Sequence, residues 1–381
     1  MRKKILFRIR SMEMGGVAKV TLDIIKHINP KEFEPHLLIT IGQGELIDKI
    51  PEGIHVIILT KGKQYMSDNK IIRFFQLAVR YMKIQMYYRF PGLLKRKIRF
   101  IPDIEVAAMH SSLAGLVNSP FKQSKKINWF HSDLSHHPLK FGRSIAEMMN
   151  RCDVTVFVSE SSYKNVEEFT GIRIPKGVII RNAFDLENII TKAEEKIEDP
   201  AERMIMNRTS LFVSIGRLCY QKGYDLLLDA HIELIKAGIK HHIAIIGGGP
   251  DYLTLKEKIR LFKVENTFFL LGMKKNPYPY ITAADFYIQP SRYEAYPLAV
   301  GEALILNKPV ISTDEGGVRE MIRHRETGII TGTDPENLMA AMIEILNNKA
   351  LILHIRERQQ EIDFNRHNAD VRKCLSRLFK F

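Results

Sequence analysis

The residues best suited to chemistry lie in the stretch SRYEAYPLAVGEALIL, residues 291–306, where Glu294 and Glu302 stand eight residues apart. A carboxylate accepts hydrogen bonds from sugar hydroxyls, often two at once. With 286–289 as a strand and Pro297 as the first helical residue, the spacing predicts a helix over 298–306. Glu294 then sits in the loop and Glu302 further along the helix, so both can reach a ligand lying across the helix start. The backbone of Ala295, Tyr296, Pro297 and Leu298 faces the same place and suits a diphosphate. The plainer reading is an exposed glutamate on a polar helix face. Against it, Glu302 lies among Val300, Ala303 and Leu304, and a buried carboxylate needs a partner.

A second group follows the apolar run 210–215. Gly216-Arg217-Leu218 precedes Lys222-Gly223, and an Arg and a Lys five residues apart beyond a strand can converge on one phosphate, the Arg as a fork and the Lys as a point charge. The alternative is a pair of solvated cations. Gly247-Gly248-Gly249 lacks the spacing of a dinucleotide fingerprint; it marks a close approach of backbone to ligand, at Gly248, or a turn. In the first half, Gly15-Gly16 lies between a strand and a helix, where glycines admit a ligand and a helix start offers free N–H groups, or where the chain simply turns. His110 and His131 each follow a strand and could bind a sugar hydroxyl or move a proton, although one histidine alone is as readily structural. Trp129 is expected in the core beside His131, with Asp133 placed to orient that imidazole. Sugar hydroxyls and a diphosphate together describe a nucleotide sugar.

These side chains need strand ends to stand on. Apolar runs over 4–9, 36–41, 55–59, 105–109, 126–130, 154–159 and 177–180 read as strands, with helical spacing between them, notably Val17, Val20, Ile24, Ile25 and Ile28 after a turn over 12–16. The pattern repeats over 210–215, 243–246, 267–271, 286–289 and 309–312, with helix over 226–236. Alternating strands and helices predict wound parallel sheets. The stretch 181–208, rich in Glu, Lys and Asn, reads as the linker. The expected organisation is a domain over 1–185, a second over 205–358 and a closing helix over 359–381. Ligands of such folds sit beyond the carboxyl ends of the strands and in interdomain clefts.

Composition limits the alternatives. The chain has 381 residues, 45% hydrophobic and 26% charged, which is ordinary for folded domains. No stretch reaches the ~18–20 apolar residues of a spanning helix, and arginines interrupt the N-terminal MRKKILFRIR, so no signal peptide is expected. Cys152, Cys219 and Cys374 are odd in number and scattered, which suits a reducing cytosol rather than a disulfide framework or zinc site. The net charge of +14 is lopsided: residues 1–180 hold 29 Lys/Arg against 16 Asp/Glu, and 181–381 hold 28 against 27. Such an excess points to an anionic partner of the first half. Residues 69–102 carry nine Lys/Arg and no acid. Lys70, Arg73, Gln76, Arg80 and Lys83 form a polar stripe on a helix that also carries Ile71, Phe74, Phe75, Leu77, Ala78, Tyr81 and Met82. This pattern reads as a helix in a membrane interface, at roughly 1 kcal/mol per basic residue on an anionic surface, or as a core helix with solvated cations. Nucleic acid is less economical beside a sugar-nucleotide signature.

The chain resembles retaining glycosyltransferases of family 4, which have the GT-B fold: two Rossmann-like parallel-sheet domains facing a cleft, with a C-terminal helix crossing back. The resemblance rests on Gly15-Gly16-Val17, Phe130-His131-Ser132, Gly216-Arg217-Leu218 with Gln221-Lys222-Gly223, Glu294 with Glu302, and Lys308 to Gly328. It implies a donor site of Gly16, Arg217, Lys222, Gly248, Met273, Glu294, Ala295, Tyr296, Pro297, Leu298 and Glu302. It implies an acceptor site of Gly15, Gly16, His110 and His131. His131 would meet the transferred sugar, Arg217 and Lys222 would hold the diphosphate, Glu294 the sugar hydroxyls and Glu302 the ribose. Tyr296 stands where many members carry a Phe-Gly pair, which would alter the sugar pocket. Base recognition would fall around 271–273. Neither a metal nor a cofactor is implied. The expected activity is transfer of a hexose or N-acetylhexosamine from a UDP-sugar, or second a GDP-sugar, to a lipid-linked or envelope saccharide. The expected place is the cytoplasmic face of a membrane, in capsule, O-antigen or lipopolysaccharide synthesis. A sugar-nucleotide epimerase on a similar fold and a non-catalytic binder of anionic lipid or nucleic acid are the competing readings.

Overall fold

The computed structural model describes residues 2–13 and 15–380; Met14, in the turn expected over 12–16, lies outside the described residues, as do the two end residues. The chain divides into two compact units, 1–183 with 369–381, and 184–368.

Among the described residues the first unit holds seven strands: β1 (Lys3–Ile9), β2 (Phe33–Gly42), β3 (His55–Lys61), β4 (Ile104–Ala107), β5 (Lys125–Phe130), β6 (Val154–Phe157) and β7 (Gly177–Ile179). They form one sheet in the order β3-β2-β1-β4-β5-β6-β7, parallel throughout, with Ile5 opposite Pro35 on one side and Ile104 on the other. Burial on both faces explains why β1 is largely apolar: Ile5, Leu6, Phe7 and Ile9 are all buried, and Arg8 among them is buried against Glu105. Phe130, Phe157, Leu113, Leu116 and Met149 fill one core beneath it. The last helix, Phe364–Lys380, belongs to this unit from residue 369 onward. Its Phe379 sets its ring edge-on to Phe7 and Phe33.

The second unit holds β8 (Leu211–Ile215), β9 (His242–Ile246), β10 (Phe268–Leu270), β11 (Phe286–Gln289), β12 (Val310–Thr313) and β13 (Ile329–Thr331). These form a parallel sheet in the order β10-β9-β8-β11-β12-β13, around a core that includes Phe212, Leu227, Leu228, Ile243, Ile288 and Ile345. The two wound parallel sheets expected from the sequence are both present, with β13 in addition.

The segment expected as a linker is instead structured. Leu186–Ala193 and Pro200–Met206 are helices, capped by the side chains of Asp185 and Asp199. They are tied to the second unit: Asn276 donates to the Lys192 carbonyl (2.7 Å), and Tyr280 donates to Glu202 (2.5 Å). The second unit therefore begins at Phe184, not at 205. The helix expected over 298–306 spans Leu298–Ile305, and Pro297 is its N-cap, because its ψ of 94° is not helical. The chain over 359–381 is also not one helix; Lys349–Gln360 ends before the last helix starts at Phe364.

The basic segment forms a helix over Lys70–Arg89, capped by the Asn69 side chain, and none of its residues is buried. Ile71, Phe74, Phe75, Tyr81 and Met82 are each at least 60% exposed. The helix is therefore no core helix, since these five apolar side chains face solvent. Among the described residues, no single helix is long and apolar enough to cross a membrane.

Candidate active site

All strands of the second sheet are parallel, so their carboxyl ends lie along one edge. The connections leave β8 toward β9 on one side, while β11 lies on the other. This reversal makes β8 and β11 the switch point where such sheets bind ligands. Beyond β8 come Gly216, Arg217 and a short 3-10 turn over Tyr220–Lys222. Beyond β11 come Ser291 to Glu294.

The two loops are locked together. Gly223 adopts a left-handed φ of 65°, and a Cβ there would lie 2.0 Å from the Pro290 carbonyl oxygen, so only glycine lets the β8 loop pass this close to the end of β11. Arg292 completes the lock. Its guanidinium grips Asp225 with two bonds of 2.7 and 2.6 Å, donates to the Tyr220 carbonyl (2.9 Å), and lies over the Tyr220 ring at 4.1 Å. Burial works to raise the Asp225 carboxyl, but the Arg292 guanidinium outweighs it and holds the group below the usual carboxylate range.

This lock brings Lys222 to Glu294. Lys222 Nζ donates to Glu294 Oε1, the same oxygen that accepts from Ser291 Oγ (2.8 Å) and Gln289 Nε2 (3.2 Å). Gln289 is oriented in turn by Tyr287, whose hydroxyl donates to Oε1 of Gln289 at 2.7 Å. Thr313, at the end of β12, donates to the Ser291 carbonyl at 2.6 Å. Glu294 is buried, and its described bonds all fall on Oε1, which leaves Oε2 to accept from a ligand hydroxyl. Arg217 is exposed beside this pair, and among the described residues no hydrogen bond or ion pair holds it. Its guanidinium is open to an anion.

Glu302 is also buried, in the helix Leu298–Ile305, and accepts from the Tyr278 hydroxyl at 3.0 Å. Burial, reinforced by the Glu302 charge, pushes the Tyr278 hydroxyl well above its usual range, so it stays protonated and donating. Ala295, Tyr296 and Pro297 are buried, with Leu298 partly so, and no side chain caps this helix start. Gly248 and Met273 lie at the ends of β9 and β10. Met273 is 57% exposed and packs against Gly248.

In the first sheet, the switch point falls between β1 and β4. Gly15 caps the helix Gly16–His27 beyond β1, and His110 opens the helix His110–Val117 beyond β4. His110 Nδ1 shares a hydrogen bond with Ser132 Oγ at 3.0 Å. His131 follows β5 and stacks on Trp129, with centroids 6.4 Å apart and planes 6° from parallel. Burial pushes His131 down to about 3, so its imidazole is neutral at ordinary pH although part of the residue still meets solvent. Asp133 does not orient it. Its carboxylate accepts from Ser135 and Asn165, because a short turn claims it locally.

Arg217, Lys222, Glu294, Glu302, Gly248, Met273 and Ala295–Leu298 thus share one sheet edge, and Gly15, Gly16, His110 and His131 share another. Gln289, Ser291, Arg292, Asp225 and Tyr278 were not singled out from the sequence. A glutamine ending an otherwise apolar strand was the one available signal, since a buried amide must be paired.

Comparison with known proteins agrees with the fold. Residues 195–362 match the model for glycosyl transferases group 1. The chain is 26% identical, over 87% of its length and 86% of the relative, to the N-acetylgalactosamine-N,N'-diacetylbacillosaminyl-diphospho-undecaprenol 4-alpha-N-acetylgalactosaminyltransferase of Campylobacter jejuni. Among solved structures, Anabaena HepE in complex with UDP and glucose superposes with a TM-score of 0.75 at 19% identity, covering 98% of this chain and 100% of that one. Staphylococcus aureus TarM in complex with UDP gives 0.72 at 12% identity, covering 98% and 99%. Residues 195–362 make the second unit a glycosyl transferases group 1 domain, on a GT-B fold, and the protein a glycosyltransferase.

Proposed function

We propose that the protein moves a hexose or N-acetylhexosamine from a nucleotide sugar, UDP-linked first and GDP-linked second, to a lipid-linked or envelope saccharide, with retention of anomeric configuration as in family 4. The observation that carries this reading is Lys222 paired with Glu294 at the β8/β11 switch point, with Arg217 open beside them. Arg217 and Lys222 would hold the donor diphosphate and stabilise the charge that grows on it as the glycosidic bond breaks, a preorganised electrostatic contribution. The uncapped start of helix Leu298–Ile305 would add its N–H groups. Glu294 Oε2 would accept from sugar hydroxyls, and Glu302, steadied by Tyr278, from the ribose. With the diphosphate charge met by these side chains, the transfer is assigned no metal and no cofactor. In the first unit, neutral His131 and His110, with Gly15 and Gly16, would meet the sugar and acceptor. A neutral imidazole suits hydrogen bonding near a positively charged sugar better than an imidazolium would.

Two features support a membrane-borne acceptor: the basic segment 69–102 and the named activity of the Campylobacter relative, whose acceptor is a diphospho-undecaprenol saccharide. The membrane's cytoplasmic face and a capsule, O-antigen or lipopolysaccharide product belong to the same proposal. The test is a panel of UDP-, GDP- and ADP-sugars, following nucleotide release with a lipid-linked saccharide acceptor. Release from one donor class, lost in Glu294→Gln, supports the reading. If no nucleotide raises the melting temperature and no donor turns over, the donor assignment is wrong.

A further inference from the structure

Outside the sheet edges described above, the first unit has an open cavity of about 700 Å³ between the helix Lys70–Arg89 and the edge strand β3. That volume lies within the roughly 300–1,000 Å³ range of small-molecule sites. Its walls are mostly apolar, with Ile58, Leu59, Ile72, Phe75 and Val79 prominent. Four cations also line it, Lys61, Arg80, Lys83 and Lys97, and no acid does. Arg80 is the telling member. Its Nη1 is buried and hydrogen-bonded to no described group. A guanidinium N–H is hydrogen-bonded to water in the unfolded chain, so leaving one buried and unpaired is costly unless a ligand completes it. An apolar slot closed by an unpaired guanidinium matches an amphiphile with a hydrocarbon tail and an anionic phosphate head.

We infer that this cavity binds one anionic phospholipid drawn from a bilayer, with a hydrocarbon chain against Ile72, Phe75 and Val79 and the phosphate on Arg80, Lys83 and Lys97. This rests on the membrane-facing part of the function proposed above and goes beyond it. Surface attraction by Lys70 and Arg73 is delocalised, whereas this site holds a single lipid by shape and by a guanidinium. The exposed rings of Phe74 and Phe75 on the same helix would enter the interface and bring the cavity mouth to the lipid.

The test uses the full chain and short-chain phosphatidylglycerol below its micellar concentration, so that no surface is present. Binding is read by calorimetry and thermal shift, beside glycerol phosphate as the head alone and short-chain phosphatidylcholine as a lipid without net charge. Monomeric phosphatidylglycerol is expected to bind and raise the melting temperature, and the two controls to bind at least about tenfold more weakly. Arg80→Gln should weaken binding about tenfold or more, the loss expected for one charge-assisted hydrogen bond. Val79→Trp, which fills the slot, should abolish it. Both variants should bind the donor nucleotide as the unaltered protein does, and this checks folding and separates the lipid site from the donor site. Lys70→Gln with Arg73→Gln should reduce binding to phosphatidylglycerol vesicles while leaving the monomer affinity intact. Equal binding of glycerol phosphate, unchanged affinity in both folded cavity variants, or no binding of the monomer would each overturn the inference, whatever the outcome of the donor panel.

Discussion

Lys222 donates to Oε1 of Glu294 although 72 residues separate them. The pair joins the loop after β8 to the loop after β11, and its side chains are 20% and 10% exposed. It neutralises a carboxylate whose same oxygen also accepts from Ser291 and Gln289. The cation proposed to meet the diphosphate and the carboxylate proposed to read the sugar are therefore one assembly, and a change in either partner is felt by both.

Lys222→Ala should lower kcat by about 10²–10³, the usual cost of losing one donor to a charged transition state. It also leaves Glu294 buried without its countercharge, so stability should fall by up to about 3 kcal/mol. Adding Glu294→Gln should restore part of that stability and none of the activity. Denaturant titration of both singles and the double variant measures the coupling; strictly additive losses would show that the two residues do not act together.

Arg292→Lys should lower kcat/KM about tenfold with a stability loss of about 1 kcal/mol, because a lysine reproduces neither the two-pronged grip on Asp225 nor the stacking on Tyr220. Asp225→Ala should resemble it, and combining the two should add little, as for residues in direct contact. Steady-state kinetics at saturating acceptor decides this. Full activity in Arg292→Lys would mean that the turn holding Lys222 needs no clamp.

Gly223→Ala places a side chain at a left-handed φ and drives its Cβ into the Pro290 carbonyl, which is backbone and cannot step aside. A destabilisation of at least about 2 kcal/mol is expected, with donor binding weakened as Lys222 moves. Chemical denaturation together with nucleotide titration would show both effects, and a loss below about 0.5 kcal/mol would contradict the close approach.

Tyr278→Phe removes the hydroxyl that steadies Glu302. If Glu302 reads the ribose, the donor KM should rise about threefold to tenfold with kcat nearly unchanged, the mark of lost uniform binding. An equal fall in kcat would instead place Glu302 in the chemical step.

Acid should loosen the second unit through a buried histidine pair. His241 Nδ1 faces the Ile239 carbonyl, so Nε2 accepts from Nδ1 of His231 (2.8 Å), whose Nε2 faces Thr267 Oγ1. Protonating His241 at Nε2 would put hydrogen against hydrogen. Burial, with the neighbouring His241 and His242, pushes His231 down to about 3 from 6.5. The unfolded chain therefore takes up the proton first, and the stability held above pH 6.5 is lost progressively as the pH falls toward 3. His231→Gln should be less stable at neutral pH but show a shallower fall in melting temperature with acid. An unchanged slope would place the acid sensitivity elsewhere.

Most strands were legible because a strand buried on both faces of a parallel sheet is a short apolar run with a turn signal at its end. The strand 286–289 was read to the residue. Ile329–Thr331 was missed because three residues between Gly328 and Gly332 carry no period. The helices Leu186–Ala193 and Pro200–Met206 read as linker in the sequence because their exposed faces are charged. Their start signals, Asp185 and Asp199-Pro200, were present in the chain and pointed to N-caps.

The sequence by itself determined the element types, the two-unit organisation and the cluster of strand-end residues from which a nucleotide-sugar site was inferred. These follow from local rules: side-chain size, period, and glycine or proline at turns. The tertiary structure alone decided the partners. That Lys222 meets Glu294, that Arg292 grips Asp225, that Tyr278 donates to Glu302 and that Arg80 Nη1 finds no partner among the described residues all depend on which strands are neighbours and how closely loops pass. Strand order arises from packing across the whole sheet, and no local pattern encodes it.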